Sequence, residues 1–432
     1  MNTPSQFPPL MATEPKRNWS MFLDFDSFFA HVEKQSDPAL HNLPVAVCPT
    51  PTPYSGVIAC CYQSKAAGVK RGMKRAEAEA LCPDIVFRHA RHDVYIRKHH
   101  TIIEVIERHV PVEKAWSVDE MSIDLKRMRI SDAVALVKAI KADLAEALGP
   151  LVTASFGIAQ TGLLAKIAAE ANKPDGLVVF HPREMPDRLH GIELKDIPGV
   201  ARGMLVRLRR AGVTTTEGLL NLQPKQVRRI WGSVEGERLW RALHGEHTER
   251  PATKRSMFGH SRVLARSWRN PKKAGECLRI LTTHAARRLR ADDFFATRLT
   301  VSVKTGKGMR LAMDREFPAV RDDFSLHRIV AETFDGIVRK SRESDFMHVS
   351  IMLHGVIKED EIVGDLFTGP RDLPRTDKAV HVMDALNQKY EKSVLKLGAP
   401  DDLPGGYDGV KIAFGRIPAK ADMFAAGSGG MG

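Results

Sequence analysis

The chain has 432 residues and a mass of 48.0 kDa, and 43% of its residues are hydrophobic, so it can form roughly two to four domains with buried cores. It has no apolar run long enough to span a membrane, no apolar signal-peptide core in its Pro-rich first 20 residues, and five cysteines without the CxxC spacing of a zinc site. We therefore expect a cytoplasmic protein, and the net charge of +13 favours a polyanionic partner.

Strands and helices alternate through the first 180 residues, which predicts an α/β or α+β domain. A strand leads into a helix over residues 21–33. The elements predicted after it are strands at 43–48 and 56–61, helices at 64–72, 75–82 and 95–110, a strand at 121–125, a helix at 131–148, a strand at 152–159, a helix at 163–172 and a strand at 177–180.

Residues 186–250 lack strand patterns and are predicted to form short helices. Within them, residues 197–202 resemble the turn of a helix-hairpin-helix element, which can direct backbone N–H groups toward a phosphate. Gly199 fits that turn, whereas Ala201 stands where a second glycine is usual. An ordinary turn between helices is the alternative.

Beyond a linker at 251–257, the pattern predicts a β-α-β-β-α-β domain of the ferredoxin-like type. Residues 251–340 contain 20 Lys and Arg against 9 Asp and Glu, an excess of +11. Such a region suits a nucleic acid, although a solvated basic surface is the alternative. The predicted elements are strand 257–266, helix 271–291, strands 296–304 and 308–316, helix 323–340 and strand 346–356, with one further helix at 380–397.

Acidic residues interrupt two predicted strands that are otherwise apolar. An unpaired buried carboxylate is costly, so such groups are normally paired or bound to a metal. Carboxylates and phosphates are ligands that Mg²⁺ prefers, and two such ions form the clamp used for in-line attack at phosphorus. Carboxylates at strand ends or on the surface are the alternative. The residues are Asp24 and Asp26 in one strand, and Asp119, Glu120 and Asp124 in the other.

Five features follow one another in a specific order over roughly residues 20–360. They are Asp24-Phe25-Asp26-Ser27-Phe28-Phe29; residues 56–69 with Tyr62-Gln63-Ser64-Lys65; Ser117-Val118-Asp119-Glu120; Gly157-Ile158-Ala159 with Leu164-Ala165-Lys166-Ile167-Ala168 and Asn172-Lys173-Pro174-Asp175-Gly176; and the hairpin followed by the basic domain. In this order and spacing the chain resembles a Y-family DNA polymerase, the translesion class, closest to the DinB/polymerase IV branch.

The resemblance implies an α+β multidomain fold, a right-hand polymerase with palm, small fingers, helical thumb and a ferredoxin-like little finger. The implied partners are primer–template DNA and dNTPs, and we expect a monomer. The expected boundaries are a disordered segment at 1–20, palm at 21–33 and 91–185, fingers at 34–90, thumb at 186–250, linker at 251–257, little finger at 258–360 and a C-terminal tail at 361–432.

The resemblance also implies that Asp24, Asp119 and Glu120 are the catalytic carboxylates. Together with the carbonyl of Phe25 they would hold two Mg²⁺ ions. One ion would lower the pKa of the primer 3′-hydroxyl and the other would neutralise charge on the leaving pyrophosphate. Asp26 and Asp124 are expected to be supporting or structural.

The incoming nucleotide is expected to contact residues from three of the motifs. Phe29 matches the steric gate, an aromatic ring that clashes with a ribose 2′-hydroxyl, with simple core packing as the alternative. Gly68 matches a small residue over the nascent base pair, which implies a roomy site with low fidelity. The implied nucleotide-binding residues are Phe28, Phe29, Tyr62, Lys65 and Lys173.

Two positions depart from the family pattern. Lys65 stands where Arg is common, and it lacks the bidentate fork of a guanidinium. Ala59 stands where a hydroxyl residue is usual. Both changes predict weaker binding of the triphosphate without loss of the chemistry.

DNA contacts are expected in the hairpin and in the little finger. The residues are Gly199, Ala201, Arg202, Arg262 and Arg298.

The tail has a faint resemblance to the UmuC-like branch. Its end resembles a sliding-clamp-binding peptide, with Met423 and Phe424 as the apolar anchors and Lys420 where Gln is usual. Incidental apolar residues are the alternative.

Three functions explain these features to different extents. A translesion DNA polymerase of low fidelity explains all of them. A DNA-binding adaptor in a mutagenesis complex fits Lys65 and Ala59, but such relatives usually lose the catalytic carboxylates. A two-metal nuclease explains the carboxylates and the charge but not Phe29 or the domain order. We predict the polymerase.

Overall fold

The computed structural model describes residues 18–49, 52, 55–248, 254–362, 375–390, 394–395 and 397–398. They form two compact units, the first ending at residue 250 and the second beginning at residue 251. Within these described ranges, no helix has the length and apolar character needed to cross a membrane.

The first unit contains eight strands and ten α-helices in its described part. In chain order they are β1 (Trp19–Phe25), α1 (Phe28–Ser36), β2 (Val45–Cys48), β3 (Ala59–Cys60), α2 (Tyr62–Ala66), α3 (Arg75–Leu81), β4 (Val86–His89), α4 (His92–Glu107), β5 (Lys114–Ala115), β6 (Glu120–Lys126), α5 (Ile130–Leu148), β7 (Ala154–Ala159), α6 (Gly162–Glu170), β8 (Leu177–Val179), α7 (Arg202–Arg210), α8 (Thr216–Leu220), α9 (Pro224–Trp231) and α10 (Val234–Leu243).

A five-stranded sheet in the order β5-β6-β1-β7-β8 forms the centre of this unit. Strand β1 pairs antiparallel with both β6 and β7. Its apolar side chains alternate between two cores, since Met21 and Leu23 pack with helices α4 and α5 while Phe22 packs with α6. Because both faces are covered, Asp24 at the end of β1 is nearly buried, with 7% of its surface exposed.

A smaller sheet in the order β3-β2-β4, together with α2 and α3, forms a separate layer with its own core. The strand predicted at 56–61 is only Ala59–Cys60. The helix predicted at 64–72 is Tyr62–Ala66, because Gly68 has a φ of 91° that no α-helix accommodates. Strands β4 and β5 were not predicted. Strand β4 has only four residues, three half-buried and one exposed, and β5 has only two, so neither shows a clear alternation of apolar residues.

The segment from 182 to 248 is entirely helical in its regular structure, as predicted. Helices α7 to α10 pack around a core that includes Leu208, Leu219 and Leu243. The turn that contains Gly199 is preceded by a single 3₁₀ turn, Leu194–Asp196, and is followed by α7. A helix-hairpin-helix element has a helix on each side of its turn. Here a full α-helix follows the turn, but only a 3₁₀ turn precedes it, so the resemblance is partial.

The second unit has the predicted β-α-β-β-α-β order. Its elements are β9 (Met257–Val263), α11 (Pro271–Ala291), β10 (Phe294–Thr305), β11 (Arg310–Val320), α12 (Asp323–Ser341) and β12 (Phe346–Lys358), followed by α13 (Arg375–Lys389). The four-stranded antiparallel sheet, ordered β11-β10-β12-β9, is covered on one face by helices α11 and α12. Along β10 the buried residues Leu299, Val301 and Val303 alternate with more exposed ones.

Helix α13 differs from the predicted span of 380–397. It begins five residues earlier, because Asp377 in its first turn forms a buried ion pair with Arg321. It ends at Lys389, and the Asn387 side chain then exchanges hydrogen bonds of 3.0 and 2.9 Å with the main chain of Leu395. A helical pattern in the sequence does not reveal either tertiary contact.

Candidate active site

The end of the central strand brings together three acidic residues from two motifs. Asp24 lies opposite Glu120 of β6 in the antiparallel register, and the N–H of Phe25 donates to the carbonyl of Asp119 at 2.9 Å. The chain then turns at Ser27, which has a φ of 49°, and enters α1. The strand pairing thus places the three predicted catalytic carboxylates at one end of one sheet.

Asp24 forms an ion pair with Lys173. The Nζ atom of Lys173 lies 2.6 Å from the Asp24 carboxylate and 2.7 Å from that of Glu170. Burial raises the pKa of Asp24, and the nearby Lys173 charge opposes that rise. Burial also disfavours the charge on Lys173, but attraction to Asp24 and Glu170 outweighs it and raises the pKa of Lys173. A positive charge is therefore held directly against this carboxylate.

The other two carboxylates are also held by polar partners. Burial raises the pKa of Asp119, against a hydrogen bond from the Ser117 hydroxyl, and the neighbouring Glu120 raises it further. The Nζ atom of Lys166 donates to both carboxylate oxygens of Glu120 at 2.7 Å. Two lysines thus balance the negative charge of the acidic cluster.

The donor set fits a hard divalent cation, because carboxylate oxygens and a main-chain carbonyl are ligands of Mg²⁺. The carbonyl of Phe25, next in the chain after Asp24, is the predicted fourth donor. As the side chains stand, no group of three or more His, Cys, Asp or Glu in the described ranges surrounds a point where a metal ion could sit. The carboxylates would reach a common ion only after exchanging their bonds to Lys173 and Lys166.

Phe29 is held in place by a network behind it. Its ring stacks on Tyr95 with centroids 4.2 Å apart and planes 12° from parallel. The Tyr95 hydroxyl donates to Glu33 at 2.7 Å, and Arg91 donates to the same carboxylate through two nitrogens at 3.0 and 2.8 Å. The ring of the candidate steric gate is therefore fixed in place, and Phe29 is half-buried.

Tyr62 and Lys65 lie together on the short helix α2. The Nζ atom of Lys65 is 4.4 Å from the centroid of the Tyr62 ring, and the Tyr62 hydroxyl donates to Asp26 at 3.3 Å. The remaining predicted nucleotide contact, Phe28, has a ring buried among Phe25, Phe29 and Tyr95. Its side chain is buried, with 2% of its surface exposed.

Of the residues predicted to bind DNA, three occupy the turn before α7. Gly199 has a φ of 97°, Ala201 is the residue that caps α7, and Arg202 begins the helix. Ala201 and Arg202 are exposed. Their position agrees with the predicted hairpin, although Ala201 provides no side-chain cap.

The two arginines predicted for the basic domain lie on opposite faces of its sheet. Arg298 stands opposite Glu316 and His354 on the face away from the helices. Arg262 stands opposite the buried Val349, and its charge acts on His284 of α11. Because side chains alternate along a strand, one open sheet surface cannot present both.

The remaining predicted residues are Asp124 and the two clamp-binding anchors. Asp124 is exposed on β6 and accepts a hydrogen bond of 2.8 Å from the N–H of Lys126, away from the acidic cluster. Met423 and Phe424, the predicted clamp-binding anchors, lie outside the described residues.

Two supporting groups went unnoticed in the sequence. One is the Glu33–Arg91–Tyr95 network; a glutamate on the apolar face of the first helix was its only local signal. The other is His99, whose Nδ1 donates to the carbonyl of Val118 at 2.9 Å and so fixes the residue before Asp119. A histidine in an amphipathic helix gives no hint of that partner, 19 residues further along the chain.

Comparisons with known proteins relate the chain to one family. The impB/mucB/samB family model matches residues 23–170, and the model of the impB/mucB/samB family C-terminal domain matches residues 255–366. A DNA polymerase IV of Yersinia enterocolitica is 30% identical over 275 residues, covering 62% of this chain and 78% of the relative. A DNA polymerase IV of Moorella thermoacetica is 27% identical over 393 residues, covering 87% of this chain and 94% of the relative.

Solved structures show the same fold. A Y-family DNA polymerase chimera superposes with a TM-score of 0.68 at 21% identity, covering 79% of this chain and 99% of the chimera. A structure titled as the insertion ternary complex of Dbh DNA polymerase gives a TM-score of 0.55 at 22% identity, with the same coverage of each chain.

The fold is that of a right-hand polymerase with palm, fingers, thumb and little finger. The chain belongs to the impB/mucB/samB family, the Y family of DNA polymerases. Relatives that match much of its length carry the name DNA polymerase IV, and the chain is a DNA-directed DNA polymerase of the translesion type.

Proposed function

We propose that this chain adds deoxynucleotides to a primer 3′-hydroxyl opposite a DNA template, with Asp24, Asp119 and Glu120 as the catalytic carboxylates. The observation that carries the proposal is the strand register, which brings Asp24 opposite Glu120 and hydrogen-bonds Phe25 to Asp119. A nuclease would need the same carboxylates, but it would not need a fixed aromatic ring at Phe29 beside them.

We assign two Mg²⁺ ions to these carboxylates and the Phe25 carbonyl. Bound there, the ions would supply Lewis acidity at the primer hydroxyl and charge neutralisation at the leaving pyrophosphate. The protein contributes position: the sheet holds the three carboxylates, and Ser117 and Lys166 orient two of them. Lys173, which balances Asp24 in this structure, is placed to turn toward a triphosphate.

The nucleotide is proposed to lie between α2 and the acidic cluster. Tyr62 and Lys65 would meet the triphosphate from α2, and Lys173 would meet it from the loop after α6. The half-buried ring of Phe29 would lie under the sugar. These roles rest on the positions of the side chains and on the family resemblance of the motifs that contain them.

We propose the palm at 21–33 and 91–185, fingers at 34–90, thumb at 186–250 and little finger at 258–360. The five-stranded sheet, the small sheet, the helices α7 to α10 and the four-stranded sheet support these boundaries. A monomeric state, a cytoplasmic location and clamp binding through Met423 and Phe424 stay predictions from the sequence.

The adaptor alternative is weaker, because an adaptor needs no arrangement for chemistry. Here the three carboxylates are kept together, and each is held by a lysine or a hydroxyl. Lys65 lies beside the candidate nucleotide contact Tyr62, with its ammonium group 4.4 Å from the centroid of that ring.

The test is single-nucleotide insertion on an undamaged primer–template with Mg²⁺, offering each dNTP separately opposite each template base. We expect extension by one nucleotide, with preference for the complementary dNTP and none without dNTP. Shortening of the primer in the absence of dNTPs would replace the proposal by a nuclease. Tight DNA binding without any extension would replace it by the adaptor.

A further inference from the structure

Asp26, two residues after Asp24, is the buried centre of a hydrogen-bond network. Only 1% of its surface is exposed. Its Oδ1 accepts from the Tyr62 hydroxyl at 3.3 Å and from the Ser155 hydroxyl at 2.9 Å. Its Oδ2 accepts from the Thr153 hydroxyl at 2.9 Å and from the main-chain N–H of Asp175 at 2.8 Å. Four accepted bonds fill most of the capacity of a carboxylate.

The donors to Asp26 belong to three separate segments. Thr153 and Ser155 lie at the start of β7, so they fix the carboxylate to the central sheet. Tyr62 begins α2, and the ammonium of Lys65 rests on its ring. Asp175 lies two residues after Lys173, in the loop that follows α6. One carboxylate therefore ties both candidate triphosphate-binding segments to the sheet.

Two groups beside Asp26, Tyr62 and His31, are uncharged. Burial raises the pKa of the Tyr62 phenol, and the charge of Asp26 raises it further, so the hydroxyl keeps its proton and donates. The ring of His31, which lies 5.7 Å from that of Tyr62, has its pKa lowered to about 4 by burial and is neutral at pH 7. The Tyr62 hydroxyl therefore acts as a donor to Asp26, as the Ser155 and Thr153 hydroxyls do.

We propose that Asp26 is a positioning residue for the incoming triphosphate: it sets where Tyr62 and the loop of Lys173 stand relative to the acidic cluster. This inference rests on the proposed function, which places the triphosphate against Tyr62, Lys65 and Lys173. Asp26 itself touches neither metal nor nucleotide in this account, and it acts through the two segments that it holds.

Asp26→Asn is the direct test, because it keeps the size of the side chain but replaces one acceptor oxygen by an NH₂ group. That group would face two donors, and at least one buried donor would lose its partner. The measurement is the Kd of the correct dNTP for the complex of enzyme with a dideoxy-terminated primer–template, by calorimetry. We expect this Kd to rise about tenfold, with the Kd for DNA unchanged.

Asp124→Asn is the matched control, since this exposed carboxylate accepts one local hydrogen bond from Lys126 and lies outside the site. Thr153→Val is a second variant of nearly the same shape, which removes one of the four bonds to Asp26. We expect no change in dNTP affinity for the control and a rise in Kd of roughly threefold for Thr153→Val.

A purely structural role for Asp26 would lower the melting temperature without changing the dNTP Kd. Wild-type dNTP affinity in both Asp26→Asn and Thr153→Val would overturn the inference. Because binding to a dideoxy-terminated primer needs no chemistry, this result is separate from the proposed function, which fails if the wild-type protein does not extend an ordinary primer.

Discussion

At the scale of single residues, the candidate active site is a cluster of carboxylates whose negative charge is offset by neighbouring lysines. Asp24, Asp119 and Glu120 converge because β1 and β6 pair in register, and Lys173 and Lys166 supply the opposing charge. The three carboxylates, the lysine at 173 and the aromatic ring at 29 could all be predicted from motifs, because each motif is local in sequence.

The bonds of Asp26 could not be predicted in that way. Its partners Thr153, Ser155 and Asp175 are between 127 and 149 residues distant in the chain. Their meeting depends on how β7 and the loop after α6 pack beside β1. The pattern of apolar residues in a sequence predicts which residues are buried and in which type of secondary structure. It does not predict which distant groups donate hydrogen bonds to a buried carboxylate.

Phe29 gives the first prediction at this scale. Its ring cannot move away from a sugar easily, because it stacks on Tyr95, which is itself hydrogen-bonded to Glu33. We expect Phe29→Ala to raise the use of ribonucleotides relative to deoxynucleotides by about tenfold or more, measured as the ratio of kcat/KM values. Phe29→Tyr keeps the ring and is the control. Equal discrimination in Phe29→Ala and the wild type would leave Phe29 as core packing.

His99 gives a prediction about acid stability. Burial lowers its pKa to about 4, and its Nδ1 must carry the proton because the carbonyl of Val118 can only accept. The unfolded chain therefore binds one more proton than the folded chain between about pH 6.5 and pH 4, so stability falls as the pH falls through that window. One such group contributes at most about 1.4 kcal/mol per pH unit.

The variant His99→Asn retains a nitrogen near the position of Nδ1 but does not titrate. We expect its melting temperature to fall less steeply than that of the wild type between pH 6.5 and pH 4. His100→Asn is the control, because it makes the same change at the next histidine of the same helix. Identical slopes for His99→Asn and the wild type would contradict the assignment of His99 as a neutral buried ring.

At the scale of elements, the strands and helices of the basic domain follow the sequence pattern closely, because apolar residues alternate cleanly along β10 and β12. Short elements such as β4 and β5 carry no such pattern. The position of α13 depends on two arginines instead. Arg321 pairs with Asp377, and Arg290 lies 2.7 Å from Asp384.

The pair of Arg321 and Asp377 predicts that α13 stabilises the basic domain. Both side chains are at most 4% exposed, and the guanidinium donates to both carboxylate oxygens at 3.0 Å. We expect Asp377→Asn to lower the free energy of unfolding by about 3 kcal/mol, since it removes the buried negative charge of this pair and leaves Arg321 only its longer contact with Glu359, at 3.6 Å. Lys378→Ala, which changes an exposed neighbour on the same helix, is the control. In urea titrations, the unfolding midpoint of Asp377→Asn should lie below that of Lys378→Ala. Equal midpoints would mean that α13 adds no stability.

At the scale of the whole molecule, the charge distribution has a direct consequence. An excess of +11 in residues 251–340 favours contacts with phosphates, and each contact releases counterions. We expect DNA affinity to fall steeply with salt. Arg298→Ala should reduce the slope of log Kd against log salt by about one, because Arg298 lies on the open face of the sheet. Arg262→Ala, on the helix-covered face, should leave the slope unchanged.

A slope that changes with Arg262 rather than Arg298 would mean that DNA meets the basic domain elsewhere than on the open sheet. An affinity independent of salt would contradict the electrostatic account altogether. The sequence could not show that Arg262 and Arg298 lie on opposite faces of the sheet. Both belong to the same basic region, and only the strand register separates them.

The most direct measurement is primer extension on an undamaged template with Mg²⁺ and four dNTPs, comparing the wild type with Asp119→Ala and Asp124→Ala. The account predicts extension by the wild type and by Asp124→Ala, with complete loss in Asp119→Ala while its DNA affinity stays near that of the wild type. Extension by Asp119→Ala at the wild-type rate would contradict the assignment of the active site to the acidic end of β1 and β6.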